Sequence, residues 1–165
     1  MECPIARSLD AVGDGWSLLI LRDALLGATR FQDFQQQLGM PPNTLTSRLA
    51  ALTERGLLAR RRYEEKPPRD RYELTAMGAE ILPVLLALSA WGNRWLAPEG
   101  ALLECVDPET SALVEPIVVD KRTLRPLQAG NVALRAGRGA SRRLRQALPQ
   151  HVLFGSVPAG DRGRP

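Results

Sequence analysis

Histidine occurs once in this 165-residue chain and cysteine twice, and aromatic residues make up only 5% of it. Each scarcity excludes something. Cys3 and Cys105 cannot form a disulfide framework, and their small number suits a reducing cytoplasm. His151 is the lone histidine, so no Cys/His cluster offers metal ligands, and no histidine is placed to serve a nucleophilic triad. The glycine-bearing "RAGRGAS" lacks phosphate-loop spacing. The expectation is therefore a protein that is not an enzyme and has no cofactor and no metal. The opening "MECPIARSLDAVGDGW" has neither the basic n-region nor the apolar h-region of a secretory signal. The apolar run "WSLLILRDALLG" is too short to span a bilayer and carries charges. A cytoplasmic location with no membrane partner is expected. No internal repeat is visible. Acidic residues are missing from the whole stretch Lys121 to Gly160, which holds eight basic ones.

What is present is a mildly basic chain, net +4 with a pI near 9.7. That balance favours a polyanionic partner without identifying one. The distribution is more informative. Acidic residues outnumber basic ones from Met1 to Met40, whereas from Asn43 to Arg71 eight Arg or Lys stand against four Asp or Glu. The length fits one compact domain with a smaller appendage, and a core modest enough that a single helix-turn-helix unit would need support from a partner or from extra helices.

Apolar spacing lays out the elements. Pro4 opens a short first helix over 4–12 whose apolar face is Ile5, Leu9 and Val12, and "GDG" ends it. Trp16 to Leu26 is apolar nearly all round and reads as a central helix. Phe31, Phe34 and Leu38 recur at helical spacing, "GMPP" breaks the pattern, and Leu45, Leu49 and Leu52 mark the next helix, closed by Gly56. Leu58–Glu64 and Arg71–Leu74 read as strands around a Pro-Pro tip. Thr75 is the expected N-cap of a long helix over 76–96, kinked or loosened at Pro83. Its apolar positions cover more than one stripe, which implies contact with the core on one side and a second subunit on the other.

After Pro98, Leu102–Val106, Leu113–Val119 and Val132–Ala136 read as short strands and "RGASRRLRQAL" as a short basic helix. The predicted fold is mostly α with a small β-wing (α+β). It divides into a winged helix-turn-helix domain over 1–97, a small β-rich appendage over 98–154 and a disordered tail over 155–165.

Two helices joined by a tight turn and followed by a basic hairpin form a device for placing a helix in a DNA major groove. With the three leucines inward, Asn43, Thr44, Ser47 and Arg48 fall on or near the outer face of the second helix. Asn43 suits an adenine edge, Arg48 a guanine or a phosphate, and the two hydroxyls base edges, a thymine methyl or phosphate oxygens. Arg60, Arg61 and Arg62 on the first wing strand, with Lys66, Arg69 and Arg71 around the tip, are expected over phosphates and the neighbouring minor groove. Neutralising about six to eight phosphates per dimer would make binding strongly salt-dependent. The competing reading is a solvated polar face.

In their order and spacing, the cysteine-proline start, "GDGWSLLILRDALLG", "RFQDF", "LTSRLAALTERGLLARR", "RYELTAMG" and the tryptophan-bearing last helix resemble the HxlR-type winged helix-turn-helix transcriptional regulators over Cys3 to Leu96. Pro41-Pro42 departs from the serine-type cap such regulators often carry before the recognition helix, although proline still fits a first turn. The resemblance implies a bacterial transcriptional regulator whose partners are double-stranded DNA and a second copy of itself. It also implies first and last helices that pair across the two-fold, which places Ile5, Leu9, Leu85, Leu88, Trp91 and Trp95 in the dimer interface.

Cys3 matches a position that several such regulators use to sense oxidants, quinones or aldehydes. A small electrophile or oxidant is therefore a candidate partner, against the plain alternative of a half-buried residue with no signalling role. Two further readings remain open: a small-molecule-responsive regulator with its ligand near Trp16, Trp91 and Trp95, and a protein-interaction module that does not use DNA.

Overall fold

A computed structural model describes residues 2–66, 68–148 and 152–154. His151 and the expected tail over 155–165 lie outside the described residues. The chain falls into two compact units, one running from Cys3 to Pro116 and one from Ile117 onward, and residues 98–116 group with the first.

The first unit opens with α1 (Pro4–Val12), α2 (Gly15–Leu25), α3 (Phe31–Leu38) and α4 (Pro42–Glu54). Asp14 caps α2, its carboxylate accepting from the Ser17 backbone N–H at 2.9 Å and from the Ser17 hydroxyl at 2.6 Å. Asp33 reaches back from the first turn of α3 to accept from the Arg30 N–H at 2.9 Å. α4 has no side-chain cap, because Pro41 occupies the position and Pro42 starts the helix. Gly56 ends the α4 region at φ 75°, a left-handed conformation that glycine adopts at no steric cost.

These helices enclose one core. Ile20 and Leu21 of α2, Phe34 of α3, and Leu45, Leu49 and Leu52 of α4 are fully buried, with Met40, Leu57 and Leu58 sealing the ends. Burying each such side chain is worth about 1.5–3 kcal/mol, which fixes α4 on its leucine face.

β1 (Leu58–Glu65) and β2 (Pro68–Leu74) form an antiparallel hairpin with a bulge between Arg62 and Glu64. The second strand starts earlier than the sequence suggested, which moves Arg69 from the tip into β2. Residues 29–30 add a short third edge, through an Arg30–Arg71 bridge and a 2.7 Å hydrogen bond from the Tyr72 N–H to the Thr29 carbonyl. Helix, turn, helix and a sheet-borne hairpin make this a winged helix-turn-helix.

The predicted single helix over 76–96 is two: α5 (Ala76–Ala79), capped by Thr75, and α6 (Leu82–Leu96). The turn at Glu80–Ile81 falls where Pro83, which has no N–H to donate, cannot continue the ladder backward. Gly78 is buried against the Leu57 carbonyl, and a Cβ there would lie 2.1 Å from that oxygen. The combined stretch is long and apolar enough to cross a membrane by length and composition alone, with mean hydropathy 1.2, and only 6% of it is buried. It also carries Glu80 and Arg94 and is interrupted by the turn.

Beyond α6 the expected strands at Leu102–Val106 and Leu113–Val119 do not form. Single bridges, Val106 to Leu113 and Val119 to Pro126, stand in their place. The turns between them are held by aspartates instead: Asp107 accepts from Glu109 and Thr110, and Asp120 from Arg122 and Thr123. The second unit contains the two-residue strands β3 (Ala133–Leu134) and β4 (Val152–Leu153), paired antiparallel, and the expected basic helix as α7 (Arg142–Ala147), capped by Ser141. Among the described residues none after Gly78 is buried.

Candidate nucleic-acid interface

The burial of Leu45, Leu49 and Leu52 determines what α4 presents outward. Asn43 and Ser47, one turn apart, are exposed, and Ala50 continues their stripe. Thr44 is half-buried on one flank. Thr46, exposed on the other flank, was not anticipated; its hydroxyl donates to the Pro42 carbonyl at 2.9 Å, which steadies the uncapped first turn. The signal for it was its place three residues after Asn43.

Arg48 is partly exposed and has an acidic partner within its own chain. It sits one turn beyond Thr44 on the flank facing α2, where its Nε lies 3.4 Å from Asp14 Oδ1. Burial opposes ionisation of Asp14, yet the hydrogen bonds from Ser17, with the Arg48 charge adding, hold its carboxyl below the ordinary carboxylate range. Arg48 thus links α4 to the start of α2. The outer stripe consists of Asn43, Ser47 and the two threonines.

The wing also differs in kind from a plain basic surface. Its side chains alternate between two faces. Leu58, Arg60 and Arg62 lie opposite Leu74, Tyr72 and Asp70 on the face that continues the core, whereas Arg61 lies opposite Arg71 on the other. Arg60 donates to Asp70 through both Nη2 and Nε, the latter at 2.9 Å, and Arg62 approaches the same carboxylate at 3.4 Å. The Arg60 hydrogen bond is the main reason the Asp70 carboxyl is held below its usual range and the Arg60 guanidinium above its own. Arg69 pairs with Glu64 at 3.4 Å and Arg71 with Glu73 at 2.9 Å.

Among the described residues, Arg61 and the tip residue Lys66 are the wing cations without an ion-pair partner. The six expected phosphate contacts therefore cannot be equivalent. The direct opposition of Arg61 and Arg71 is a like-charge pair that an anion would relieve. Arg30 lies over the Tyr63 ring at 5.4 Å, and the two line a cleft of about 310 Å³ with Phe31, Gln32, Arg69, Asp70 and Tyr72.

On α1 and α6, Ile5, Leu9, Leu88, Trp91 and Trp95 are each about half exposed or more, Leu85 is half-buried, and α6 has no fully buried residue. Trp16 is also exposed. A groove of about 280 Å³ is lined by α1 residues, Leu57, Met77, Glu80 and Ile81. Cys3 is half-buried at the N-cap of α1, with extended backbone and no side-chain capping bond.

Comparison with known proteins gives these features a context. The HxlR-like helix-turn-helix family matches residues 11–100. An HTH-type transcriptional regulator of Mycobacterium tuberculosis (strain CDC 1551 / Oshkosh), MT3179, is 34% identical over 141 residues, covering 85% of this chain and 89% of its own. The solved structure of PA1607, titled as a candidate transcription factor, is similar at a TM-score of 0.72 and 37% identity, over 83% of this chain and 95% of that one. The redox regulator HypR in its oxidized form is similar at 0.51 and 30% identity, over 55% of this chain and 94% of HypR.

Proposed function

The chain belongs to the HxlR-like helix-turn-helix family of transcriptional regulators, and from that premise we propose that it acts as a homodimer reading a specific duplex sequence through Asn43, Thr44 and Ser47. The observation that carries this reading is the division of α4. Three fully buried leucines on one side leave short hydrogen-bonding side chains on the other, at the N-terminal half of the helix that enters the groove. Arg61 and Lys66 then serve the flanking phosphates, and Arg60, Arg62, Arg69 and Arg71 do so only by exchanging their carboxylate partners.

Duplexes selected by the chain from a random-sequence pool supply the test. Selection should converge on two half-sites about one helical turn apart. Failure to enrich any sequence would remove the reading.

The dimer is supported by α6, an apolar helix with no fully buried residue and with Leu88, Trp91 and Trp95 half exposed, and by the exposed Ile5 and Leu9 of α1. Sedimentation should give twice the chain mass, and Trp91→Glu should return it to a monomer. A wild-type monomer at micromolar concentration would exclude the pairing. A regulator of this kind works in the cytoplasm, where its DNA lies, and has no reaction to catalyse.

Responsiveness to an oxidant or electrophile through Cys3 is the second part of the reading, supported by the likeness to HypR and by the thiol's position at the start of α1. Diamide should weaken operator binding of the wild type and leave Cys3→Ser unaffected. Equal behaviour of the two would exclude it.

A further inference from the structure

The net charge of the chain hides an opposition. Residues 1–116 hold 12 basic and 16 acidic side chains, and residues 117–165 hold 10 basic and 2 acidic. The winged unit is therefore net negative, a poor long-range attractor for DNA, and the positive charge of the protein resides in the second unit. We propose that the second unit is a phosphate-binding module, which grips the duplex backbone flanking the operator while α4 reads bases. The proposal rests on the DNA-binding reading above and extends it to a surface outside the family match, which ends at residue 100.

Three observations carry it. Lys121, Arg122, Arg125, Arg135, Arg138, Arg142, Arg143 and Arg145 are all exposed. Among the described residues none of them lies in an ion pair, whereas four wing arginines do. Asp120 is the one acidic residue between Ile117 and Leu148, and its carboxylate is occupied by its own turn, accepting from the Arg122 and Thr123 N–H groups at 2.7 and 2.8 Å. Guanidinium groups with no carboxylate to release exchange only counterions when they meet a phosphate, which is the entropic source of protein–DNA affinity. Held on the same chain as the reading head, they act at high effective concentration.

The experiment uses the full chain and a pool-selected duplex in two lengths, one trimmed to the selected site and one with ten added base pairs on each side. Binding is measured from low to moderate salt. The longer duplex should bind more tightly and with a steeper salt dependence. Replacing Arg135, Arg138, Arg142 and Arg143 together by Gln should abolish that gain and flatten the logarithmic salt slope by about 3–4 per protomer, at about 0.9 per phosphate lost. The same four positions as Lys should keep the slope, which separates charge from folding.

Equal slopes for wild type and the Gln variant, or no gain from the flanks, overturn the proposal. So does arginine-dependent binding to phosphatidylserine vesicles with an unchanged DNA slope, which would point to a membrane surface instead. If the trimmed site is still read through Asn43 while the Gln variant is unaffected, only this inference falls. If no duplex is selected at all, the reading beneath it falls as well.

Discussion

In the wing, Arg60 and Arg62 close on Asp70, Arg69 on Glu64 and Arg71 on Glu73; from Lys121 to Arg145 eight cations stand without one described carboxylate partner. Both regions look alike as strings of arginine. What separates them is backbone order. An antiparallel register brings side chains of opposite strands to within about 5 Å, so an acid across the ladder neutralises Arg60, Arg62 and Arg69, while Glu73, two residues along β2 on the same face, neutralises Arg71. A segment tied together by Asx turns, single bridges and a two-residue hairpin has no such ladder, and acids are nearly absent from it. The same contrast governs apolar side chains: every buried hydrophobic residue of the described chain belongs to the first unit. One region is a scaffold that restrains its charges, and the other a charged surface with little scaffold.

The largest expected effect sharpens the scaffold half of that contrast. Leu49→Ala removes a fully buried side chain from the centre of α4 and should cost about 2–5 kcal/mol in chemical denaturation. Hydrogen exchange should then accelerate throughout the first unit. Exchange in the second unit should be fast in both proteins, for lack of buried structure, and should not change. Slow exchange in α7 of the wild type would break the comparison.

Asn43→Ala tests where specificity lies. It should cost about 1–3 kcal/mol of discrimination between the selected site and a mismatched one, with the salt slope unchanged, because no phosphate contact is lost. A loss spread evenly over all sequences would mean that Asn43 touches backbone instead of a base. Asp70→Asn works in the opposite direction and makes the wing resemble the second unit. With their shared carboxylate gone, Arg60 and Arg62 should engage phosphate, and binding to any duplex should strengthen, with the slope steepening by at most about 2 per protomer. Weaker binding would show that Asp70 positions the arginines for DNA.

Periodicity made the scaffold legible. The three leucines of α4 and the phenylalanines of α3 mark the core face without ambiguity, and Thr75 announces its helix. Charge pairing was not legible, because it depends on register. The bulge between Arg62 and Glu64 decides which acid meets which arginine, and nothing in "RRRYEEKPPRDRYEL" reveals it. The Arg48 contact was hidden for a related reason: nothing in the sequence shows that α2 brings Asp14 to that flank of α4. The strands expected over 102–106 and 113–119 failed because β-branched residues favour extended backbone but do not supply a partner strand. The proline in α6 was visible, but the turn it produces lies two residues earlier, where the missing N–H is felt.

The Asp14–Arg48 pair carries the smallest expected effect and asks whether the scaffold restrains charge outside the wing as well. A double-mutant cycle with Asp14→Asn and Arg48→Met should give a coupling of no more than about 1 kcal/mol, since both side chains are partly exposed and solvent screens them. Asparagine retains the capping oxygen for the Ser17 N–H, so the cycle isolates the ion pair from the cap. The Asp14 carboxyl is held below its ordinary value in the fold. Its contribution should therefore be complete above the unfolded value, near 3.8, and be lost as pH falls through the lower folded value. Coupling measured at neutral pH should vanish in strong acid, and Arg48→Met alone should leave base discrimination nearly intact. Discrimination lost with Arg48→Met at neutral pH would instead make Arg48 a base reader that leaves Asp14 on binding, and would shift the reading edge of α4 toward α2.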